Sequence, residues 1–192
     1  RTDTIQTFQV YNNDSGTLAN YTTFAGTCTA GPCNAGGGVD SIGGSSTILN
    51  GYIYYTRGCS ALACTTATTT VYYSQLDAYG GMGTWNSANS LPAVSAWGKL
   101  VTVGGTLYYL GGQDSSGVAQ SAIYYSSSFS SGNPTWATAS ASLPLALTQI
   151  SAAVFNSRIY VVGGSTSGTV SGTTVRNTVF YSPDLSAGGN IA

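Results

Sequence analysis

The amino-acid sequence predicts an all-β protein built from repeated four-stranded antiparallel units. Three observations carry this prediction: the composition, an internal repeat, and tight-turn residues between short strand-like segments. Only 6% of the 192 residues are charged, whereas the chain holds 26 glycines and 14 tyrosines. Because aromatic and β-branched side chains favour strands and glycine favours turns, we expect a β-rich fold with many turns.

The chain repeats three sequence anchors in the same order. The first is a hydrophobic and aromatic strand, in which the aligned positions Ile53, Leu107 and Ile159 are 54 and 52 residues apart. A Tyr-Tyr-Ser element and a Trp followed by Leu-Pro are the other two. Self-similarity at a fixed period of this size is typical of repeat architectures. The anchors span residues 51–55, 105–109 and 157–161; 71–74, 123–126 and 179–182; and 83–92 with 134–144.

Each unit is predicted to contain four short strands. A two-residue turn follows the first strand, and its Asn and Gly residues suit the positive φ angles of a tight hairpin. The second strand ends at a glycine pair, the third holds Tyr-Tyr-Ser, and the fourth runs from near the Trp to Leu-Pro, where proline ends it. The predicted first strands are Ser45–Leu49, Lys99–Val103 and Ser151–Phe155, and their turns are Asn50-Gly51, Gly104-Gly105 and Asn156-Ser157.

Four antiparallel strands in about 50 residues is the size of a β-propeller blade of the kelch type. The pairs Gly111-Gly112 and Gly163-Gly164, each after a hydrophobic strand, and the downstream aromatic residues and Trp resemble the kelch family over nearly the whole chain. In detail the chain looks most like the Tyr/Thr/Ser-rich kelch proteins of bacterial cell surfaces. It departs from that pattern at Arg57-Gly58, where Arg replaces the first glycine. The resemblance implies a β-propeller of four-stranded antiparallel kelch-like blades.

The units divide the chain into one predicted propeller domain with four parts. Residues 1–40 are expected to supply the outer strands of a partial blade and a Cys-containing loop. Residues 41–94 and 95–147 each correspond to a blade, and residues 148–192 to a partial blade. Because these strands do not add up to whole blades, we expect an incomplete ring, which is a fragment of a longer propeller or needs a partner chain.

The four cysteines form two pairs of identical spacing, Cys28 with Cys33 and Cys59 with Cys64. A disulfide within each pair is favoured, although three pairings are formally possible. Closing so short a loop stabilises the fold by about 2 kcal/mol in the chain-entropy model. A zinc site is the alternative, but four-residue spacers without His fit it poorly. Disulfides imply an oxidising compartment, so the protein is expected to be extracellular or at the cell surface.

The composition argues against several functions. The chain has no His and no Glu, which removes the commonest general base and the commonest transition-metal ligand. The formal net charge is −1 and no basic run occurs, so nucleic acid is not an expected partner. No run of residues is long and apolar enough to read as a membrane span. No cofactor, metal site or catalytic residue is predicted.

Three functional classes remain open. The first is an interaction or adhesion module that binds a protein or glycan ligand through propeller loops. The second is a structural subunit of an extracellular filament or surface layer, which would associate with copies of itself. A glycan-active enzyme is the least favoured class, because a hydrolase built from paired Asp would need two of the six in matching motifs.

Four residues are candidates for ligand contact. Trp97 has no Trp at the equivalent position of the other units and precedes a first strand, at the mouth expected for a propeller. Gln113 and Asp114 follow a glycine pair, and Tyr79 lies in a Gly-rich connection. Aromatic faces, amides and hydroxyls on loops held by a rigid scaffold are common in binding sites.

Overall fold

A computed structural model describes residues 6–9, 20–23, 42–60, 64–78 and 80–192. Its regular structure within these ranges is entirely β, without a helix. No helix able to span a membrane occurs in this part of the chain. The strands are β1 (Gln6–Gln9), β2 (Asn20–Thr23), β3 (Ser45–Leu49), β4 (Tyr52–Thr56), β5 (Val71–Leu76), β6 (Met82–Ser87), β7 (Lys99–Val103), β8 (Thr106–Leu110), β9 (Ile123–Ser130), β10 (Asn133–Thr138), β11 (Ser151–Phe155), β12 (Arg158–Val162) and β13 (Val179–Tyr181).

The strands form consecutive antiparallel sheets in chain order. Strands β3 to β6 make the first sheet, β7 to β10 the second, and β11 to β13 a third sheet of three strands. Strands β1 and β2 pair with each other in a separate two-stranded sheet. The predicted all-β class and the succession of antiparallel sheets, the last with three strands, are therefore confirmed. The sheets do not close into a barrel.

The first hairpin of each of the three larger sheets uses the turn that the sequence predicts. Residues Asn50 and Gly51 have φ angles of 50° and 77°, so both occupy the left-handed region. Positive φ at both central residues matches the twist of the flanking strands. The pairing Leu49 with Tyr52 closes this hairpin. The corresponding turns at residues 104–105 and 156–157 also have positive φ at both positions.

The first strands of the three sheets lie side by side, β3 against β7 and β7 against β11. Two side-chain hydrogen bonds join the first pair: Leu100 N donates to Ser45 Oγ over 3.0 Å, and Thr102 Oγ1 donates to Ile48 O over 3.4 Å. Successive sheets are therefore arranged around their first strands.

Two hydrophobic cores separate the sheets. Alternate residues of a strand point to opposite faces, so Tyr108 packs toward the third sheet and Tyr109 toward the first. Both side chains are fully buried. The same division holds along β8, where Leu110 belongs to one core and Leu107 to the other. The second sheet thus buries one face against the first sheet and the other face against the third sheet.

Candidate functional site

The long connections of the three sheets gather at one end, which we call the loop end. It is the end at which β7 begins and β8 finishes, because Lys99 pairs with Leu110. The opposite end carries the two-residue hairpins and the turn between β9 and β10. Among the described residues, the connections at the loop end are 57–60 with 64–70, 88–98, 111–122, 139–150 and 163–178.

A ladder of backbone hydrogen bonds crosses the loop end. Gly43, Trp97 and Gln149 each lie two residues before a first strand, and their φ angles are 67°, 62° and 55°. Gln149 N donates to Trp97 O over 2.8 Å, and Trp97 N donates to Gly43 O over 2.7 Å. This ladder joins the three sheets and explains the left-handed conformation of two residues that are not glycine, because tertiary hydrogen bonds hold them there.

A pocket of about 290 Å³ opens beside this ladder. Its wall includes the half-buried Trp97 and Lys99 and the exposed Gln149. The indole lies directly against Gly43, where a Cβ atom would stand 2.7 Å from Trp97 Cδ2. The remaining lining residues are Gly44, Gly98 and Ile150. The pocket is therefore lined by an aromatic, a basic and an amide-bearing residue, and backbone hydrogen bonds join their segments.

Trp97 is supported from inside by a small core that contains a disulfide. Cys59 and Cys64 are bonded, with Cα atoms 5.0 Å apart, and both are buried. They pack with Ala67 and Ala96, and Trp97 lies against this cluster. The predicted bridge between Cys59 and Cys64 is confirmed. The other predicted pair, Cys28 and Cys33, lies outside the described residues.

Gln113 is part of the internal framework and does not reach the pocket. It is 5% exposed, and its Oε1 accepts a hydrogen bond from Thr148 Oγ1 over 2.9 Å. Its backbone bridges Ala96 on one side and Ala119 on the other. The corresponding positions of the other sheets, Cys59 and Ser165, make the same two bridges. We call this pair of backbone bridges the clamp. Its repetition at Gln113, Cys59 and Ser165 was not recognised in the sequence, because these three side chains have no chemistry in common.

Asp114 lies away from the pocket. Asp114 shapes its own loop, since Oδ1 accepts from Ser116 N over 2.8 Å and from Val118 N over 2.9 Å. Tyr79 is outside the described residues. Of the three candidates that the structure describes, only Trp97 lines the pocket, together with Lys99 and Gln149, which the sequence did not single out for binding.

Two buried tyrosines have raised pKa values, whereas a tyrosine that acts as a general base needs a lowered one. Burial raises the pKa of Tyr109 to about 12, against weaker lowering by hydrogen bonds from Ser95 and Gly98. Burial also raises the pKa of Tyr54 to about 12, with the neighbouring Tyr52 and Tyr73 adding to the effect. A tyrosine base at neutral pH needs a lowered pKa. These phenols therefore act as neutral hydrogen-bonding groups.

Comparison with known proteins identifies a likeness of fold. No protein-family model and no curated protein matches the sequence. Among solved structures 149 chains match, and one of them is described as "Structure of YjhT". It is 21% identical, with a TM-score of 0.51, and the match covers 68% of this chain and 36% of that one. The chain thus spans little more than a third of that protein's length, and the similarity at this identity concerns the fold alone.

Proposed function

We propose that this chain is part of an extracytoplasmic β-propeller of kelch-like blades that binds a glycan in the pocket at the loop end. The propeller arrangement is supported by the adjacent first strands and by the second sheet, whose two faces pack on the first and third sheets. The Cys59–Cys64 disulfide supports an oxidising location. The observation that carries the binding function is the pocket lined by Trp97, Lys99 and Gln149.

The chemistry of the pocket favours a glycan. Sugar rings present an apolar face of C–H groups and a rim of hydroxyls. An indole surface suits the face, whereas the Gln149 amide and the Lys99 ammonium offer hydrogen bonds to the rim. The pocket's volume of about 290 Å³ is just below the range of about 300–1,000 Å³ for small-molecule sites, which suits one terminal unit of a glycan chain.

The rigidity of the pocket also supports glycan binding. The ladder through Gly43 and Trp97 and the disulfide beneath the indole fix the pocket before any ligand arrives. Ordering flexible side chains on binding costs free energy, so a pre-formed site retains more of its contact energy as affinity.

Glycan-array screening followed by calorimetry tests the proposal. We expect Trp97→Ala and Gln149→Ala each to weaken binding at least tenfold. Asp77→Asn is the matched control at the opposite end, because it keeps the oxygen that accepts from Gly81 N. Circular dichroism verifies that each variant is folded. The proposal fails if no glycan binds, if Trp97→Ala binds as well as wild type, or if a protein ligand alone is captured.

A second candidate function, a subunit of an extracellular filament or layer, is favoured by the open face of the third sheet. Phe155, Val162, Val179 and Tyr181 on this face are 66%, 45%, 58% and 69% exposed. Such a cluster on one sheet marks a surface that another element covers. The aligned residues of the second sheet are packed against the third: Val103, Leu110, Ile123 and Tyr125.

Sedimentation over a range of concentrations distinguishes this second candidate from the first. An assembling subunit is expected to form larger species as concentration rises, and Phe155→Ser is expected to suppress them. Val118→Ser is the control, because Val118 is 57% exposed but lies at the loop end. A chain that stays monomeric at all concentrations rules out self-assembly through this face.

A further inference from the structure

The side-chain amide of Gln113 contacts three other connections of the loop end. Its Oε1 accepts the hydrogen bond from Thr148 Oγ1 over 2.9 Å, and its Nε2 donates to Cys64 Sγ over 3.9 Å. Gly168 lies directly against the same amide, because a Cβ atom there would stand 2.7 Å from Gln113 Nε2 and 2.8 Å from its Oε1. One buried amide therefore contacts residues from the connections at 64–70, 139–150 and 163–178.

Two of these contacts lead to Gln149, which lines the pocket. Thr148 is the residue before it in the chain, and Gly168 O accepts a hydrogen bond from Gln149 Nε2 over 3.4 Å. Gln113 therefore contacts both the residue that precedes Gln149 and the residue that accepts a hydrogen bond from its side chain.

Trp97 is connected to Gln113 by two routes. Directly before the tryptophan, Ala96 N donates to Gln113 O over 3.0 Å, and Gln113 N donates to Ala96 O over 2.7 Å. Cys64, which accepts from the amide, belongs to the small disulfide core on which Trp97 lies. The two side chains that the glycan proposal relies on, those of Trp97 and Gln149, thus have supports that meet at Gln113.

An amide suits both side-chain contacts of Gln113, because one planar group carries a donor for the sulfur and an acceptor for the hydroxyl. The reversed amide would place its oxygen against the disulfide sulfur, and both are acceptors. A buried polar group with both partners satisfied therefore has one favoured arrangement. The aligned residues of the other sheets, Cys59 and Ser165, carry no amide, so this arrangement is particular to the second sheet.

We infer that Gln113 is the positioning residue of the pocket, and that its amide sets the orientation of the Trp97 indole and the Gln149 side chain. The inference rests on the proposed glycan site, because it names what holds the two side chains that contact the ligand there. Packed side chains and hydrogen bonds carry such coupling between neighbouring groups. Gln113 acts through these supports and makes no contact with the ligand itself.

Gly168→Ala tests this arrangement, and Gly172→Ala in the same connection is its matched control. Neither glycine has a positive φ, so both backbone conformations suit alanine. A methyl group at residue 168 would overlap the Gln113 amide, whereas a Cβ atom at residue 172 has nothing within 4 Å. The two variants add the same group to one connection, and only the first displaces the amide.

The indole N–H signals in the NMR spectrum report the result without any ligand. We expect Gly168→Ala to shift the signal of Trp97 and to leave that of Trp85, which lies in β6, in place. Gly172→Ala is expected to leave both signals in place. The Trp97 signal is the diagnostic one, because Gly168 bonds to Gln149 directly and would alter its signals in any case. Circular dichroism verifies that each variant is folded.

Two further variants separate the amide from a general disturbance of the connection. Thr148→Val keeps the shape of the side chain and removes the hydroxyl that donates to Gln113, so it should also shift the Trp97 signal. In a Gln113→Ala background the amide is absent, so Gly168→Ala should add little further shift, and such non-additivity marks coupling through Gln113. An unmoved Trp97 signal in Gly168→Ala and Thr148→Val would overturn the inference, as would equal shifts from Gly168→Ala with and without the amide.

The same glycan array gives the functional readout. We expect Gly168→Ala to weaken the binding seen with the wild type about fivefold and Gly172→Ala to leave it unchanged. Equal array signals for Gly168→Ala and wild type, together with a shifted Trp97 resonance, would overturn the inference. An array on which the wild type binds nothing refutes the proposed function instead, and the NMR comparison then decides whether Gln113 positions the indole.

Discussion

Phenylalanine in place of Tyr54 removes one hydroxyl that joins two sheets. Tyr54 is 1% exposed, and its Oη donates to Gly132 O over 2.8 Å across 78 residues of sequence. The bond ties β4 in the first sheet to the turn between β9 and β10 in the second. The substitution keeps the ring and its aromatic neighbours, so the lost hydrogen bond is the main change.

The expected cost follows from burial at both ends of the bond. A typical hydrogen bond contributes about 1 kcal/mol net, and a buried acceptor left without a donor costs roughly 1–3 kcal/mol. Gly132 is buried, so Tyr54→Phe should lower the free energy of unfolding by about 2 kcal/mol. For a chain of this length that corresponds to a fall in melting temperature of roughly 4–8 °C.

The matched control is Tyr52→Phe, because Tyr52 has no hydroxyl partner among the described residues and its ring centroid is 6.4 Å from that of Tyr54. Tyr108→Phe removes the corresponding bond to Gly189 at the next interface and should cost about 1 kcal/mol, because that bond is only partly buried. When Tyr54→Phe and Tyr108→Phe are combined, their losses of unfolding free energy should add within about 0.5 kcal/mol. Urea unfolding measures all four. Equal midpoints for Tyr54→Phe and Tyr52→Phe would refute the placement of the second sheet's turn on the first sheet.

Three further predictions address the framework of the site. Replacing Cys59 and Cys64 by alanine should cost about 2 kcal/mol through loop entropy alone, measured by thermal unfolding against wild type. Gln113→Ala leaves the Thr148 hydroxyl unpaired and should cost roughly 1–3 kcal/mol in urea unfolding, whereas an unchanged midpoint would contradict the buried clamp. Stability should also fall in alkali. Because the pKa of Tyr109 is raised to about 12, its folded state favours the protonated phenol, so about 3 kcal/mol present below pH 10 is lost as pH rises through 12. Urea unfolding at stepped pH, with tyrosinate absorbance, checks this; tyrosinate forming at ordinary pH without unfolding would contradict it.

Local sequence patterns were sufficient for the first strands and their turns. The fourth strands were predicted to run to the Leu-Pro pairs, which is wrong, because β6 ends at Ser87 and β10 at Thr138 and a non-strand connection carries each Leu-Pro pair. The predicted first strands coincide with β3, β7 and β11, because alternation of side chains and a two-residue turn are encoded by neighbouring residues. The glycine pairs were predicted to end the second strands, and β8 does end at Leu110; Gly112 has a φ of 100°, and a Cβ atom there would stand 2.7 Å from Ala96 O. Arg57, which departs from the pair, is not among the residues with positive φ.

Contacts between residues that are distant in the sequence could not be predicted from local patterns. Gln113 follows a glycine pair in a loop-like sequence, and only the partners supplied by residues 49 positions before it and 35 after it show that it is buried. Residues 189–190 share only a Gly-Asn dipeptide with residues 132–133. The two segments are equivalent in their hydrogen bonds, because Tyr108 and Ser140 bond to residues 189–190 as Tyr54 and Asn89 bond to residues 132–133. Long-range partners of this kind leave little trace in a single sequence.

The ladder at the loop end shows how a repeat can hold a site that is not itself repeated. Gly43, Trp97 and Gln149 share one backbone conformation and are linked through backbone atoms alone. Because those bonds need no particular side chain, the three positions are free to carry different ones. Glycine at the first position makes room for the indole of the second, and the third residue, Gln149, lines the same pocket while its Nε2 donates to Gly168 O over 3.4 Å. The repeat therefore supplies rigidity, while differences between its units supply the chemistry of the pocket.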